Sequence, residues 1–415
     1  LEIKVPPQHP GRTIVLIWLA WAITLIGFQN IVSKRLQPER PDRVLYWTPS
    51  ETGPHSQEDK PYLMDPFLNT QVSWDSEFYL SIATVGYDDP LVRAIWIPDD
   101  GGKVFSLNYA FSPFYPFVIH MVRVPLLLLG LTPIATSTLA GVLVSLLGAL
   151  GAMLGLYDMV RPELGHDGGI RAAFYLLIFP TGFYLAQVYT AGLFLGLTFG
   201  SIALVRRKQW LGASLLAVCA TWTRPAGGLI MIPLAVAWLR EVNWNKLTFR
   251  PFPWETIGKG LLVLTPLAAY LIWQYSYLGT AFQIVEHNFF SRDILALTRS
   301  WRVWRQALLS LWSHNSQTVI YYSMQLSAIL VGVTACLLTL RRYPGWALFG
   351  LAVIAVPLTS GLEQGMCRYV LAIPSIFLIL SRLGKNIVFD RAWTLASILL
   401  MGLCATLYTF DMWVG

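Results

Sequence analysis

The chain has 415 residues, of which 55% are hydrophobic and 13% charged, with 17 Trp and a mean hydropathy of +0.53. That composition excludes ordinary soluble globular and disordered classes and points to a membrane protein. The net charge of +7 is what cytoplasmic loops facing anionic headgroups produce, and it calls for no nucleic-acid partner.

A spanning helix needs about 20 mostly apolar residues, and eleven spans are predicted: 13–32, 137–159, 172–187, 190–205, 211–222, 227–239, 257–277, 317–340, 345–359, 369–381 and 392–413. The first is too long for a signal peptide and lacks a small-residue cleavage site, so it reads as a retained span. With a cytoplasmic N-terminus, Arg206, Arg207, Lys208, Arg341 and Arg342 fall on the inner side, as the positive-inside rule asks, and the C-terminus lies outside. The apolar segment 105–131 would reverse every later loop if it crossed. It also carries Pro113, Pro116, Pro125, His120 and Arg123, so it is predicted to be interfacial or re-entrant on the outer face.

The predicted organisation is therefore one transmembrane domain over residues 1–415, with a first extracytoplasmic loop, 33–136, of about a quarter of the chain and a second large one, 278–316. A loop that long usually carries function. Residues 33–103 hold 12 acids against 7 basic residues, which disfavours nucleic acid and anionic lipid as partners there. Within it, Trp74-Asp75 opens the run WDSEFYLSIATVGY. The second loop combines Arg292, Arg299, Arg302 and Arg305 with Trp301, Trp304 and Trp312. The three-residue spacing of the last three arginines predicts a basic ridge on an amphipathic helix, either lying on the outer leaflet or contacting substrate.

The four cysteines, Cys219, Cys336, Cys367 and Cys404, show neither a disulfide framework nor a zinc spacing. There is no HExxH, no Gly-rich phosphate loop and no Ser nucleophile elbow. No metal site is assigned. Whether a divalent metal takes part is left open, since Asp88-Asp89 and Asp99-Asp100 offer oxygen ligands but equally suit solvated turns. The absence of an Asn-x-Ser/Thr sequon favours a prokaryotic plasma membrane over the endoplasmic reticulum.

Five motifs in order resemble one family. WDSEFYLSIATVGY is similar to WDAEHFxxIAxxGY, NYAFSPFYP (108–116) to NFAFFPxFP, FPTGFYLAQVYTAGLF (179–194) to SPxxxFxxxxYSExLF, ATWTRPAG (220–227) to an Arg-containing turn, and CRYVLAIP (367–374) to RYxxxxFP. These are patterns of the PIG-V-like mannosyltransferases of GPI-anchor synthesis and their relatives, within the GT-C glycosyltransferases. The resemblance implies an all-α polytopic GT-C fold whose large first extracytoplasmic loop carries juxtamembrane helices. It implies an inverting transfer, most simply of mannose, from a polyprenyl or dolichyl phosphate donor to a glycolipid or other extracytoplasmic acceptor, among membrane lipids; no cofactor is assigned.

That chemistry wants a carboxylate to take the acceptor's proton, for which Asp75 is the candidate. It also wants fixed cations for the departing phosphate, for which Arg224 and Arg368 at outer span ends are candidates. Trp74, Glu77 and Tyr189 are candidate substrate contacts, and His287 and His314 weaker ones. Bland readings compete: Asp75 as a helix N-cap, Trp74 as an interfacial anchor, Glu77 as a solvated face, and the arginines snorkelling to headgroups. One departure stands out. Where the family has Tyr-Ser-Glu, this chain has Tyr189-Thr190-Ala191, so Glu77, Asp88 or Glu363 would have to replace the missing acid. A transporter, flippase or ligase of lipid-linked glycans is the competing class; for ion-coupled transport, the predicted spans lack the mid-membrane charges expected.

Overall fold

The computed structural model describes residues 10–97, 102–242, 254–293 and 295–415. The chain is an all-α polytopic membrane protein. Its helices are α1 (Pro10–Arg35), α2 (Thr48–Thr52), α3 (Pro61–Met64), α4 (Ser76–Thr84), α5 (Phe114–Leu126), α6 (Pro133–Ile178), α7 (Ala191–Arg206), α8 (Trp210–Thr223), α9 (Met231–Glu241), α10 (Trp254–Gln274), α11 (Tyr277–Asn288), α12 (Leu297–Leu309), α13 (Ser316–Thr339), α14 (Pro344–Leu358), α15 (Met366–Tyr369), α16 (Pro374–Leu383) and α17 (Ile387–Thr409). A short antiparallel pair, β1 (Ala94–Ile97) and β2 (Lys103–Ser106), lies in the first loop with Ile95 opposite Phe105, an element the sequence reading lacked.

Each predicted span falls on helical chain, but the lengths differ from expectation. Among the described residues five helices, α1, α6, α10, α13 and α17, are long and apolar enough to cross a membrane, and the segments Met366–Ala372 and Pro374–Leu383, bent by 81°, make a sixth if taken together. The segments predicted as 137–159 and 172–187 are two arms of α6, which breaks at Gly165, where φ is +73° and only glycine is unstrained. Its second arm ends at Ile178 and continues as a 3-10 turn, Gly182–Ala186. The shorter α7, α8 and α14 reach at most 16 residues. Segment 105–131 takes in part of β2, a turn and α5, which runs on to Leu129 as a short apolar helix like α7, α8 and α14. His120 Nδ1 there bonds the Ala83 carbonyl at 2.9 Å, and Arg123 donates to that of Thr84 at 3.4 Å.

Glycine sets the closest helix contact. A Cβ on Gly192 would lie 2.1 Å from the Ser145 carbonyl oxygen, and one on Gly148 would lie 2.4 Å from the backbone of Gly192. The N-terminal turn of α7 therefore packs backbone to backbone on α6, which fixes Tyr189 and Thr190 just before it.

The first loop is docked on the bundle. Ser76 Oγ donates to the Val188 carbonyl at 3.0 Å and bonds Tyr408 Oη at 3.1 Å, while the Val188 N–H donates to the Gln71 carbonyl at 3.0 Å. Gln29 of α1 donates to the Thr70 carbonyl at 3.0 Å, and Thr318 of α13 to that of Val44 at 2.8 Å. These bonds bring residue 75 to the mouth of the bundle.

Candidate active site around Asp75

Trp74 turns the chain into α4 through a left-handed conformation, φ +51°, which for a bulky residue costs about 1–3 kcal/mol and persists where surroundings hold it. Here its indole meets Trp47 and Trp413 edge-on, with ring centroids 5.8 and 5.0 Å away. Asp75 follows at the N-cap position of α4, yet its side chain makes no capping bond. The carboxylate instead accepts from Arg368 Nη1 at 3.1 Å, and the Asp75 N–H donates to Tyr189 Oη at 3.1 Å. The capping reading of Asp75 is thereby displaced by an ion pair between the first loop and α15.

Arg368 is presented by a rigid turn. Gly365 enters α15 at φ +81°, Thr181 Oγ1 donates to the Cys367 carbonyl at 2.7 Å, and the Cys367 N–H donates to Gln325 Oε1 at 3.1 Å. The Arg368 side chain is 8% exposed. Its guanidinium lies 5.5, 5.2 and 5.8 Å from the ring centroids of Tyr184, Tyr189 and Tyr369, a cage that favours a desolvated cation. Its Nε is buried without a partner among the described residues. A buried charged donor left unmatched is costly, so this nitrogen is able to donate to a further acceptor.

Two further arginines face the same space. Arg224, at the end of α8, donates from Nε to Thr190 Oγ1 at 2.5 Å and lies 5.4 Å from the Phe194 ring centroid. It feels the like charge of Arg368. Arg292, between α11 and α12, has Nη1 3.9 Å from Glu286 Oε2. Tyr369 is within electrostatic reach of all three guanidiniums. Burial pushes the Glu286 carboxyl up to about 7 against the opposing pull of Arg292, with Asp75 adding to the rise. Three guanidiniums against one carboxylate and one acid that burial drives toward its neutral form leave a net positive site, suited to a phosphate.

The other candidates sort as follows. Tyr189 is fully buried and works on Asp75 and Arg368 from beneath. Trp74 belongs to the indole cluster with Trp47 and Trp413. Glu77 is buried on the opposite side of α4, where its main charged neighbours are Lys60, Arg93, Glu51 and Asp89; burial pushes it up to about 7. It is neither a solvated face nor a partner of the arginines. His287 pairs with Asp293 at 2.6 Å at the surface, and His314 is exposed. Asp88 accepts from Tyr109 at 2.9 Å, Asp89 from Ser81 at 2.7 Å and from Tyr62, and Glu363 from Tyr322 at 3.0 Å. Asp99 and Asp100 lie outside the described residues. Among the described residues no group of three or more His, Cys, Asp or Glu is arranged to hold a metal ion.

The predicted amphipathic helix is α12. Arg299 is drawn back to Asp293 at 3.0 Å and to the Ser291 carbonyl at 2.7 Å. Arg302 and Arg305 are exposed, as are Trp301 and Trp312, while Ser300 and Ala307 are buried. Sequence reasoning missed Glu286, Tyr184 and Tyr369, and it named Arg292 without placing it in the site.

No family model matches the chain, and comparison with curated proteins finds no match. Among solved structures it is similar to the oligosaccharyltransferase of Archaeoglobus fulgidus. The structure of that protein with zinc and sulfate aligns at 14% identity and a TM-score of 0.45, covering 97% of this chain and 53% of that one. The archaeal oligosaccharyltransferase AglB from the same organism, in complex with an inhibitory peptide and a dolichol-phosphate, aligns at 13% identity and a TM-score of 0.42, covering 94% and 55%. The chain spans about half the length of the solved structures it matches.

Proposed function

We propose that the protein is an inverting membrane glycosyltransferase of the GT-C, PIG-V-like kind, moving a sugar from a polyprenyl or dolichyl phosphate to an extracytoplasmic acceptor. The observation that carries the reading is the buried, partly unmatched Arg368 beside Asp75, with Arg224 and Arg292 turned to the same space. A lipid-linked phosphate would take up the free Nε of Arg368 and the facing guanidiniums. As the acceptor oxygen bonds the anomeric carbon from the opposite face, the carbon–oxygen bond to phosphate breaks. The bonding pair stays on the phosphate, and the acceptor proton passes to the Asp75 carboxylate. Tyr189 holds the Asp75 backbone and supports Arg368 without touching substrate. Mannose is the leading sugar by the motif resemblance, and the positive-inside pattern supports a site outside the cytoplasm.

The test is sugar transfer by the purified protein from radiolabelled polyprenyl phosphate mannose to a membrane-lipid extract, beside Asp75→Asn. Transfer by the wild type, lost in a folded Asp75→Asn protein that still binds donor, supports the reaction and the base. Undiminished transfer by Asp75→Asn removes Asp75 from the chemistry. A wild type that neither transfers nor binds the donor lipid overturns the reading.

A further inference from the structure

The end of α7 remote from Thr190 is 16 residues away, about 24 Å at the α-helical rise. There the ends of α7, α9 and α14 line a partly open cavity of about 180 Å³. Its mouth carries Arg206, Arg240 and Arg342, and its wall includes Leu234, Tyr343 and Trp346. Arg206 is held by the Met159 and Asp158 carbonyls, with its guanidinium 5.5 Å from the Trp346 ring centroid. Tyr343 and Trp346 stack at 4.4 Å and 9°, and Tyr343 Oη donates to Glu163 at 2.6 Å. Glu163 also takes Arg382, so its contact with Arg342, at 3.5 Å, is shared, and the Arg342 side chain remains 64% exposed. Arg240 makes no ion pair among the described residues and is exposed.

Three guanidiniums facing two carboxylates, Glu163 and Asp158, that are themselves shared with Arg382, Arg161 and Arg207, over an apolar and aromatic wall, match a ligand with a phosphate at one end and hydrocarbon at the other. We propose that this cavity binds the phosphate headgroup of an anionic membrane lipid, in the leaflet opposite the one that Asp75 faces. The phosphate sits among Arg206, Arg240 and Arg342, and the glycerol backbone and upper acyl chain lie along the wall at Leu234 and Trp346. The shared chemistry with free phosphate is the anion; the apolar wall is what selects the lipid.

Native mass spectrometry of the detergent-solubilised full chain tests this with phosphatidylglycerol, phosphatidylcholine and inorganic phosphate. Phosphatidylglycerol is expected to bind in preference to phosphatidylcholine and to resist millimolar inorganic phosphate. Its binding should weaken about tenfold or more in Arg240→Gln/Arg342→Gln, less in Arg342→Lys, and hardly in Arg341→Gln, which removes a neighbouring charge that does not line the cavity. Both substituted side chains are exposed, so the fold is expected to survive, checked by an unchanged Tm. Equal binding of the two lipids, or equal weakening by Arg341→Gln, overturns the site. Displacement by millimolar inorganic phosphate overturns the lipid assignment.

Discussion

The hydroxyl of Tyr189 accepts the backbone N–H of Asp75 at 3.1 Å while its ring lies 5.2 Å below the Arg368 guanidinium. One side chain thus fixes both the carboxylate's backbone and the cation that faces it. Tyr189→Phe keeps the ring and deletes the bond, so kcat is expected to fall about three- to tenfold, the equivalent of one neutral hydrogen bond. Donor affinity should be unchanged. Steady-state transfer kinetics beside donor binding check the separation.

Arg368→Lys keeps the charge but loses the fork, the Nε donor and most of the stacking on Tyr184, Tyr189 and Tyr369. Donor-lipid Kd is expected to rise about 10- to 100-fold. Arg224→Gln, at a cation held by Thr190, should weaken binding by a smaller factor. Titration with a fluorescent polyprenyl phosphate reads both.

Glu286, whose carboxyl burial pushes up to about 7, is expected to set a pH dependence on donor binding. Below that pH it is mostly neutral and Arg292 is free for phosphate; above it, the ionised carboxylate competes for Arg292. Kd for a phosphodiester donor, whose own charge is constant here, should rise about three- to tenfold between pH 6 and pH 8. Glu286→Gln flattens the curve. A wild-type curve that is already flat would show that Glu286 does not act on the donor.

Glu77 makes the opposite kind of prediction, about stability. Its folded-state carboxyl is raised by burial to about 7, so the folded protein holds this proton more tightly than the unfolded chain. The stabilising contribution is fully present below about 4.5 and is lost as pH rises through 7. Glu77→Gln should therefore stabilise the protein at pH 8 by on the order of 2–3 kcal/mol, with the difference vanishing near pH 4. Thermal unfolding in detergent at both pH values measures it.

Gly192→Ala drives a methyl into the Ser145 carbonyl. Overpacking of this kind costs about 1–3 kcal/mol, and here it also displaces Tyr189 and Thr190. A lower Tm together with reduced transfer is expected, whereas Gly258→Ala, with open space around its Cβ, should change neither.

The polytopic helical plan was legible because apolar runs of spanning length follow from composition and local pattern alone. Asp75, Arg224 and Arg368 were legible through short motifs that keep their order along the chain, and the structure brings them to one place. Glu77, expected in the site or on a solvated face, is instead buried on another side of α4 for a simple geometric reason. Residues two apart on a helix point about 200° away from one another, so the acid nearest in sequence to Asp75 faces away from it. Arg292 and Glu286 were hidden for another reason. The regular spacing of Arg299, Arg302 and Arg305 drew attention, yet Arg299 is tied to Asp293, and the other two point outward. Which arginine of a loop turns inward depends on how the loop folds over the bundle, which no local spacing encodes. The bend at Gly165 and the 3-10 turn after Ile178 escaped because an apolar run does not reveal where its axis changes direction.

The three indoles of Trp47, Trp74 and Trp413 come from two ends of the chain and sit with centroids 5.0 to 5.8 Å apart at angles of 73° to 89°. Aromatic chromophores so close and so fixed couple their electronic transitions, so this cluster is expected to contribute to the protein's near-ultraviolet circular dichroism from beside Asp75. The entry to the proposed active site thus carries its own optical label, and loosening of that loop would be visible without any added probe.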